Sequence, residues 1–165
     1  MNKIKKNWAI IVLLISSIAI LSALIAEYLF DILPCQMCLY QRYPYYFIIL
    51  FSIIYIITNK IPLTWYYWIS AFSFTIGLFF SLWHTGIEQK VLPGLSGCSN
   101  TVNASQSLTN LKEQILNQNI VACDEITWSI MGFSAATVNS LLLILLLLIN
   151  TIFLIQHYYD KEKTL

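Results

Sequence analysis

From Trp8 to Leu29 the chain carries one charged side chain, Glu27 near the far end, and an apolar run of that length constrains the solvent it can fold in. A helix of roughly 20 apolar residues matches the hydrocarbon core of a bilayer and satisfies its own backbone polar groups there. A cleaved leader fits less well. Its apolar core is about 7 to 15 residues long and ends at small residues, whereas this run passes straight into Tyr28, Leu29 and Phe30. The segment is expected to be a retained spanning helix.

Three further apolar runs follow. Tyr45 to Thr58 reaches spanning length when extended back through Tyr40 to Cys38, which brings Arg42 into the first turns, where a charge must stay near the interface. Pro34 suits the start of this helix, while Pro44 removes a backbone hydrogen bond and either kinks the helix or marks where its regular part begins. Asn59-Lys60-Ile61-Pro62 is short enough only for a tight connection. The third run, Trp65 to Trp83, has Trp65, Tyr66, Tyr67 and Trp68 at one end and Trp83 at the other, which reads as two aromatic belts at the headgroup levels. The fourth, Trp128 to Gln156, stops before the charged tail Asp160-Lys161-Glu162-Lys163.

The fold class expected is all-α: an integral membrane four-helix bundle, a single domain over residues 1–165. Spans are placed near 8–29, 38–58, 65–83 and 128–156, and outer loops near 30–37 and 84–127. Only 10% of residues are charged, against about a quarter in soluble chains, which agrees with the bilayer as solvent. A net charge of +1 supplies no field that would gather a polyanion, so nucleic-acid partners are excluded.

Cytoplasmic ends of membrane helices retain Lys and Arg. Lys3, Lys5, Lys6, Lys60, Lys161 and Lys163 fall on the side of the termini, and Arg42, Lys90 and Lys112 on the other. Both termini are therefore expected in the cytoplasm. The long polar stretch His84 to Glu125 then faces outward. Within it Pro93-Gly94-Leu95-Ser96-Gly97 reads as a turn, and Asn110 with Glu113 as the capped start of a short amphipathic helix using Leu108, Leu111 and Ile115. Asn103-Ala104-Ser105 fits a glycosylation sequon, too common a pattern to decide anything.

The same orientation puts all four cysteines, Cys35, Cys38, Cys98 and Cys123, outside. Cys35-Gln36-Met37-Cys38 sets two thiols one helical turn apart at an expected helix start, where unpaired backbone N–H groups favour a thiolate. A structural disulfide or half of a zinc site would use the same spacing. Zinc is disfavoured, because Cys98 and Cys123 are far apart in sequence and no His lies near either, so no resident metal is expected. In an oxidising compartment Cys98 and Cys123 are expected to pair. That pair could be a staple, but an outward reactive dithiol beside an outward disulfide is what stepwise exchange requires. Arg42, four residues after Cys38, shares its helix face and can stabilise a thiolate or polarise a carbonyl oxygen of a bound ring.

Together, Pro34-Cys35-Gln36-Met37-Cys38-Leu39-Tyr40-Gln41-Arg42, His84-Thr85-Gly86-Ile87-Glu88, the pair Cys98 and Cys123, and Trp128-Ser129-Ile130-Met131-Gly132-Phe133-Ser134 resemble the disulfide bond formation protein B (DsbB) family across nearly the whole chain. The resemblance implies a bacterial inner-membrane oxidoreductase that reoxidises a periplasmic thioredoxin-like, DsbA-type protein and reduces ubiquinone or menaquinone. It makes Cys35 and Cys38 the quinone-coupled pair, Cys98 and Cys123 the partner-facing pair, and Arg42, with Cys38 and His84, the quinone site. At Ala135-Ala136-Thr137-Val138-Asn139 the chain departs from the family pattern, which has an aromatic residue before the Asn. Two other readings use the same features: a vitamin K epoxide reductase-like quinone reductase, whose second pair would lie nearer the first, and a non-catalytic membrane subunit with two structural disulfides. Quinone consumption driven by a reduced thioredoxin-like partner separates them.

Overall fold

The computed structural model describes residues 7–58, 60–94, 121–126, 128–130 and 132–163. Cys98, the amphipathic helix expected near 108–115 and the lysines at 3, 5 and 6 lie outside the described residues. Among the described residues four helices carry the fold: α1 Trp8–Leu29, α2 Gln36–Thr58, α3 Leu63–Glu88 and α4 Ala135–Glu162. By length and composition α1, α3 and α4 are apolar enough to cross a membrane. α2 falls outside that set. Its first turns hold Gln36, Tyr40, Gln41, Arg42 and Tyr43, which dilute the apolar character of the rest.

Successive helices pack against one another, α1 on α2, α2 on α3 and α3 on α4, and Trp8 on Phe153 brings α1 to α4 with edge-on rings 5.1 Å apart. Residues facing inward are aliphatic and aromatic, with small residues among them. Val12, Ile48, Phe74, Leu143 and Leu146 are buried together with Tyr66 and Tyr67. Ile10, Leu14, Ile18, Leu21 and Ile25 remain exposed along one side of α1, a helical stripe that costs nothing when the surroundings are lipid. Gly77 sits where α2, α3 and α4 converge: a Cβ there would lie 3.3 Å from Leu143 and 3.4 Å from Pro44. Small residues at such crossings let helix backbones approach in a membrane.

Helix boundaries differ from the sequence expectation where turn chemistry intervenes. α2 begins at Gln36, earlier than Cys38, and α3 extends past Trp83 to Glu88. The fourth helix starts at Ala135, well after Trp128, because Ser129–Ile130 and Phe133–Ser134 pair as a short antiparallel hairpin. Gly132 at its turn has φ +86, a left-handed conformation glycine adopts without penalty. Ser134 then caps α4, its Oγ accepting from Thr137 N at 3.1 Å. The aromatic belt at the start of α3 is also corrected: Trp65 and Trp68 are exposed, but Tyr66 and Tyr67 are both 0% exposed. A helix turns 100° per residue, so four consecutive aromatics cannot all face the headgroups.

Candidate functional site

α1 ends, α2 begins, α3 ends and α4 begins at the same end of the bundle, and the chemistry-bearing residues collect there. Cys35 immediately precedes α2 and acts as its cap. Its Sγ accepts from Cys38 N at 3.3 Å, and its carbonyl accepts from Leu39 N at 3.2 Å. A sulfur in that position meets the positive end of the helix dipole, which favours the thiolate. Cys35 and Cys38 are both free, with Sγ atoms 2.8 Å apart. The hydrogen bond from Cys38 holds the Cys35 thiol down at about 5 from its ordinary 9.0; burial opposes this, and the hydrogen bond from His84 adds to it.

His84, at the far end of α3, is 4% exposed. Its Nε2 lies 3.4 Å from Cys35 Sγ, and its Nδ1 lies 2.7 Å from Gln41 Nε2. An amide nitrogen can only donate, so Nδ1 accepts and the neutral ring carries its proton on Nε2, facing the sulfur. The Gln41 amide is oriented in turn by Asn139, whose Nδ2 donates to Gln41 Oε1 at 2.7 Å. Tyr45 OH donates to Asn139 Oδ1 at 2.6 Å. This relay runs from the centre of the bundle to the cysteines through α2, α4 and α3. Ser81 ties it down, accepting from Asn139 Nδ2 at 3.2 Å and from Ser140 Oγ at 2.9 Å.

Two carboxylates flank the relay. Glu27 of α1 accepts from Arg42 Nη1 at 2.5 Å, with side-chain exposures of 12% for Arg42 and 19% for Glu27. Glu88 Oε2 accepts from Ser134 Oγ at 2.5 Å, and its Oε1 lies 3.8 Å from His84 Nε2. Between α1 and the starts of α2 and α4 lies a cavity of about 370 Å³. Its walls are largely apolar, with Ile15, Ile18 and Ala19 from α1 and Val138 and Leu142 from α4. Cys35, Cys38, Gln41, Arg42, His84 and Asn139, with Ser22, Glu88 and Glu125, contribute the polar part of the lining. An apolar chamber of this size with a few convergent polar groups suits a ring-bearing apolar molecule.

Of the site residues expected from sequence, Cys35, Cys38, Arg42 and His84 meet at this cavity. Cys123 is buried in one apolar cluster with Cys35, Met37 and Ile87, and it is disulfide-bonded. Cys98 lies outside the described residues. Gln41, Asn139, Tyr45, Glu27 and Glu88 were not anticipated. The signal available was their polarity inside or beside apolar runs, where an ionisable or amide group needs a partner.

A family model described as Disulfide bond formation protein DsbB matches residues 5–153. An uncharacterized protein of Rickettsia prowazekii (strain Madrid E), RP370, is 30% identical over 170 residues, covering 98% of this chain and 95% of its own length. No solved structure matches the chain.

Proposed function

Because the chain belongs to the disulfide bond formation protein DsbB family of membrane disulfide oxidoreductases, we propose that it reoxidises a periplasmic thioredoxin-like protein of the DsbA type and passes the electrons to a membrane quinone, ubiquinone or menaquinone. Its place is the bacterial inner membrane, with both termini cytoplasmic and Cys98 and Cys123 facing the periplasm. One observation carries this reading: the free Cys35 and Cys38 line a mostly apolar cavity on one side and share a buried cluster with a disulfide-bonded Cys123 on the other. Electrons can thus arrive from a cysteine and leave into a lipid-soluble acceptor.

The exchange balances as follows. A thiolate of the reduced partner attacks the Cys98–Cys123 disulfide, joining the partner to Cys98 and freeing Cys123. Cys123 attacks Sγ of Cys35 in the oxidised inner pair, and Cys38 leaves as a thiolate. The partner's second thiol then expels Cys98, and Cys98 recovers Cys123, releasing Cys35. Two electrons and two protons have passed from one dithiol to the other. That end state, an inner dithiol beside a disulfide-bonded Cys123, matches the thiol states described above.

The cavity residues fit a quinone: apolar walls for the ring and tail, and a guanidinium and an imidazole beside the sulfurs. When bound, a quinone supplies the acceptor for the two electrons and two protons of the dithiol. The chain's own residues prepare that transfer. The α2 cap and the Nε2 proton of His84 hold Cys35 as a thiolate. Arg42, already oriented by Glu27, places a cation on the wall shared with Cys38. The test is purified full-length chain given a reduced thioredoxin-like partner and a soluble quinone. Quinone loss matched by partner disulfide is expected, and partner oxidation that proceeds unchanged without quinone overturns the reading.

A further inference from the structure

We propose that the reduced Cys35 and Cys38, together with His84, bind a thiophilic divalent cation of the zinc(II) type, in competition with disulfide formation. Among the described residues, these three offer ligand atoms that all lie within 4.8 Å of one another. The Cys-x-x-Cys spacing alone offers two ligands; the third, His84, lies 49 positions from Cys35 and reaches it through the packing of α3 on α2.

The geometry is close to what zinc takes. With metal–ligand bonds of about 2.0 to 2.3 Å, tetrahedral ligands sit roughly 3.5 to 3.8 Å apart. Cys35 Sγ and His84 Nε2 are already 3.4 Å apart, while the two sulfurs, at 2.8 Å, must separate by about one ångström to admit a metal. Cys38 is only partly buried and borders the cavity, so its side chain has room to move. Two thiolates cancel the charge of a divalent ion, and a neutral cluster is the form that a poorly hydrated bundle end tolerates.

Ligation through Nε2 moves the ring proton to Nδ1, and the relay behind His84 can follow. Gln41 turns its amide so that Oε1 accepts from Nδ1, Asn139 turns likewise, and the Tyr45 hydroxyl accepts where it had donated. Gln41, Asn139 and Tyr45 each carry both a donor and an acceptor, so this chain of hydrogen bonds can run in either direction. An imidazole supported through its other nitrogen is the recurrent arrangement around protein-bound zinc. On binding, each thiol yields any proton it still carries to water, and no electrons move. Oxidation to the disulfide removes both thiolates and with them the site.

The experiment titrates reduced full-length chain in detergent with cobalt(II) alone, then with zinc(II). Thiolate-to-cobalt charge-transfer absorption with tetrahedral ligand-field bands is expected, saturating at one metal per chain and lost on adding zinc. The same sample oxidised to the disulfide should show no such bands. A Cys98→Ser/Cys123→Ser chain should keep them, Cys35→Ser and Cys38→Ser should each abolish them, and His84→Ala should weaken cobalt binding at least about tenfold. Reduced wild type without thiolate bands, oxidised wild type with them, bands that follow the outer cysteines, or unchanged affinity in His84→Ala overturns the proposal. The readout involves neither quinone nor partner, so its failure is distinct from failure of the oxidoreductase reading.

Discussion

Two polar networks lie inside this apolar bundle, and they are built on opposite plans. Toward the end where α1 and α3 begin, Asn150 is closed on all sides: its Oδ1 accepts from Trp8 Nε1 at 2.9 Å and Ser70 Oγ at 3.0 Å, and its Nδ2 donates to Tyr67 O at 2.9 Å. It holds α1, α3 and α4 together with uncharged groups. Toward the cysteine end, the Asn139 relay opens on a cavity and terminates in an imidazole and a thiol pair. Both satisfy buried polarity, as any interior requires. The difference teaches that a saturated, uncharged network behaves as interhelical glue, whereas one that ends in titratable groups at a cavity wall can exchange protons and electrons.

That contrast breaks first at the cysteines. Cys38→Ser should reduce multiple-turnover partner oxidation to background while the Cys98 and Cys123 pair still accepts electrons once, as quantified by partner thiol titration. Next comes Arg42→Ala, expected to lower kcat/KM for quinone by about 2 to 4 kcal/mol, by analogy with loss of one oxyanion donor, and to leave single-turnover exchange with the partner near wild type. If quinone kinetics are unchanged, the ion pair with Glu27 is only an anchor between α1 and α2.

Smaller effects sharpen the comparison between the two asparagines. Asn139→Ala removes the brace on Gln41 and should slow turnover about tenfold through misorientation of His84. Asn150→Ala should do the reverse: a loss of about 1 to 3 kcal/mol of stability, read as a lower Tm in detergent, with kcat of the folded fraction unchanged. Equal kcat losses in the two variants would erase the distinction. The least change is expected in the acid limb of Cys35 reactivity. With its thiol held at about 5, alkylation of reduced Cys35 should stay fast down to mildly acidic pH and fall as pH drops through that value, since only the thiolate attacks. An inflection near the ordinary thiol range, measured by mass spectrometry with a chelator present, would contradict the capped geometry.

Much of the scaffold was legible in the sequence because a bilayer imposes length and apolarity on each crossing. Cys35, Cys38 and Arg42 were legible because their spacing encodes a shared helix face. Other features depend on which faces three helices turn toward one another. Gln41 looked like the middle of a Tyr-Gln-Arg string, yet it links His84 to Asn139. Glu27 looked like a charge at a helix exit, yet it neutralises Arg42. Tyr66 and Tyr67 looked interfacial, yet Tyr66 OH meets Ser52 Oγ at 2.8 Å in the interior. The hairpin before α4 was hidden inside a run that reads as continuous helix, with Gly132 and Ser134 as the overlooked signals.

The cap that Cys35 forms on α2 has an electrochemical consequence. Its Sγ is an anionic acceptor for Cys38 N only while the pair is reduced, since a disulfide sulfur is uncharged and a weaker acceptor. The start of a helix thereby favours one oxidation state of the pair. Each 1.4 kcal/mol by which such contacts stabilise the dithiol raises the reduction potential of the couple by about 30 mV. The first turn of α2 thus helps set how oxidising the pair is toward Cys123, and lengthening or breaking that turn would retune the voltage without touching a sulfur.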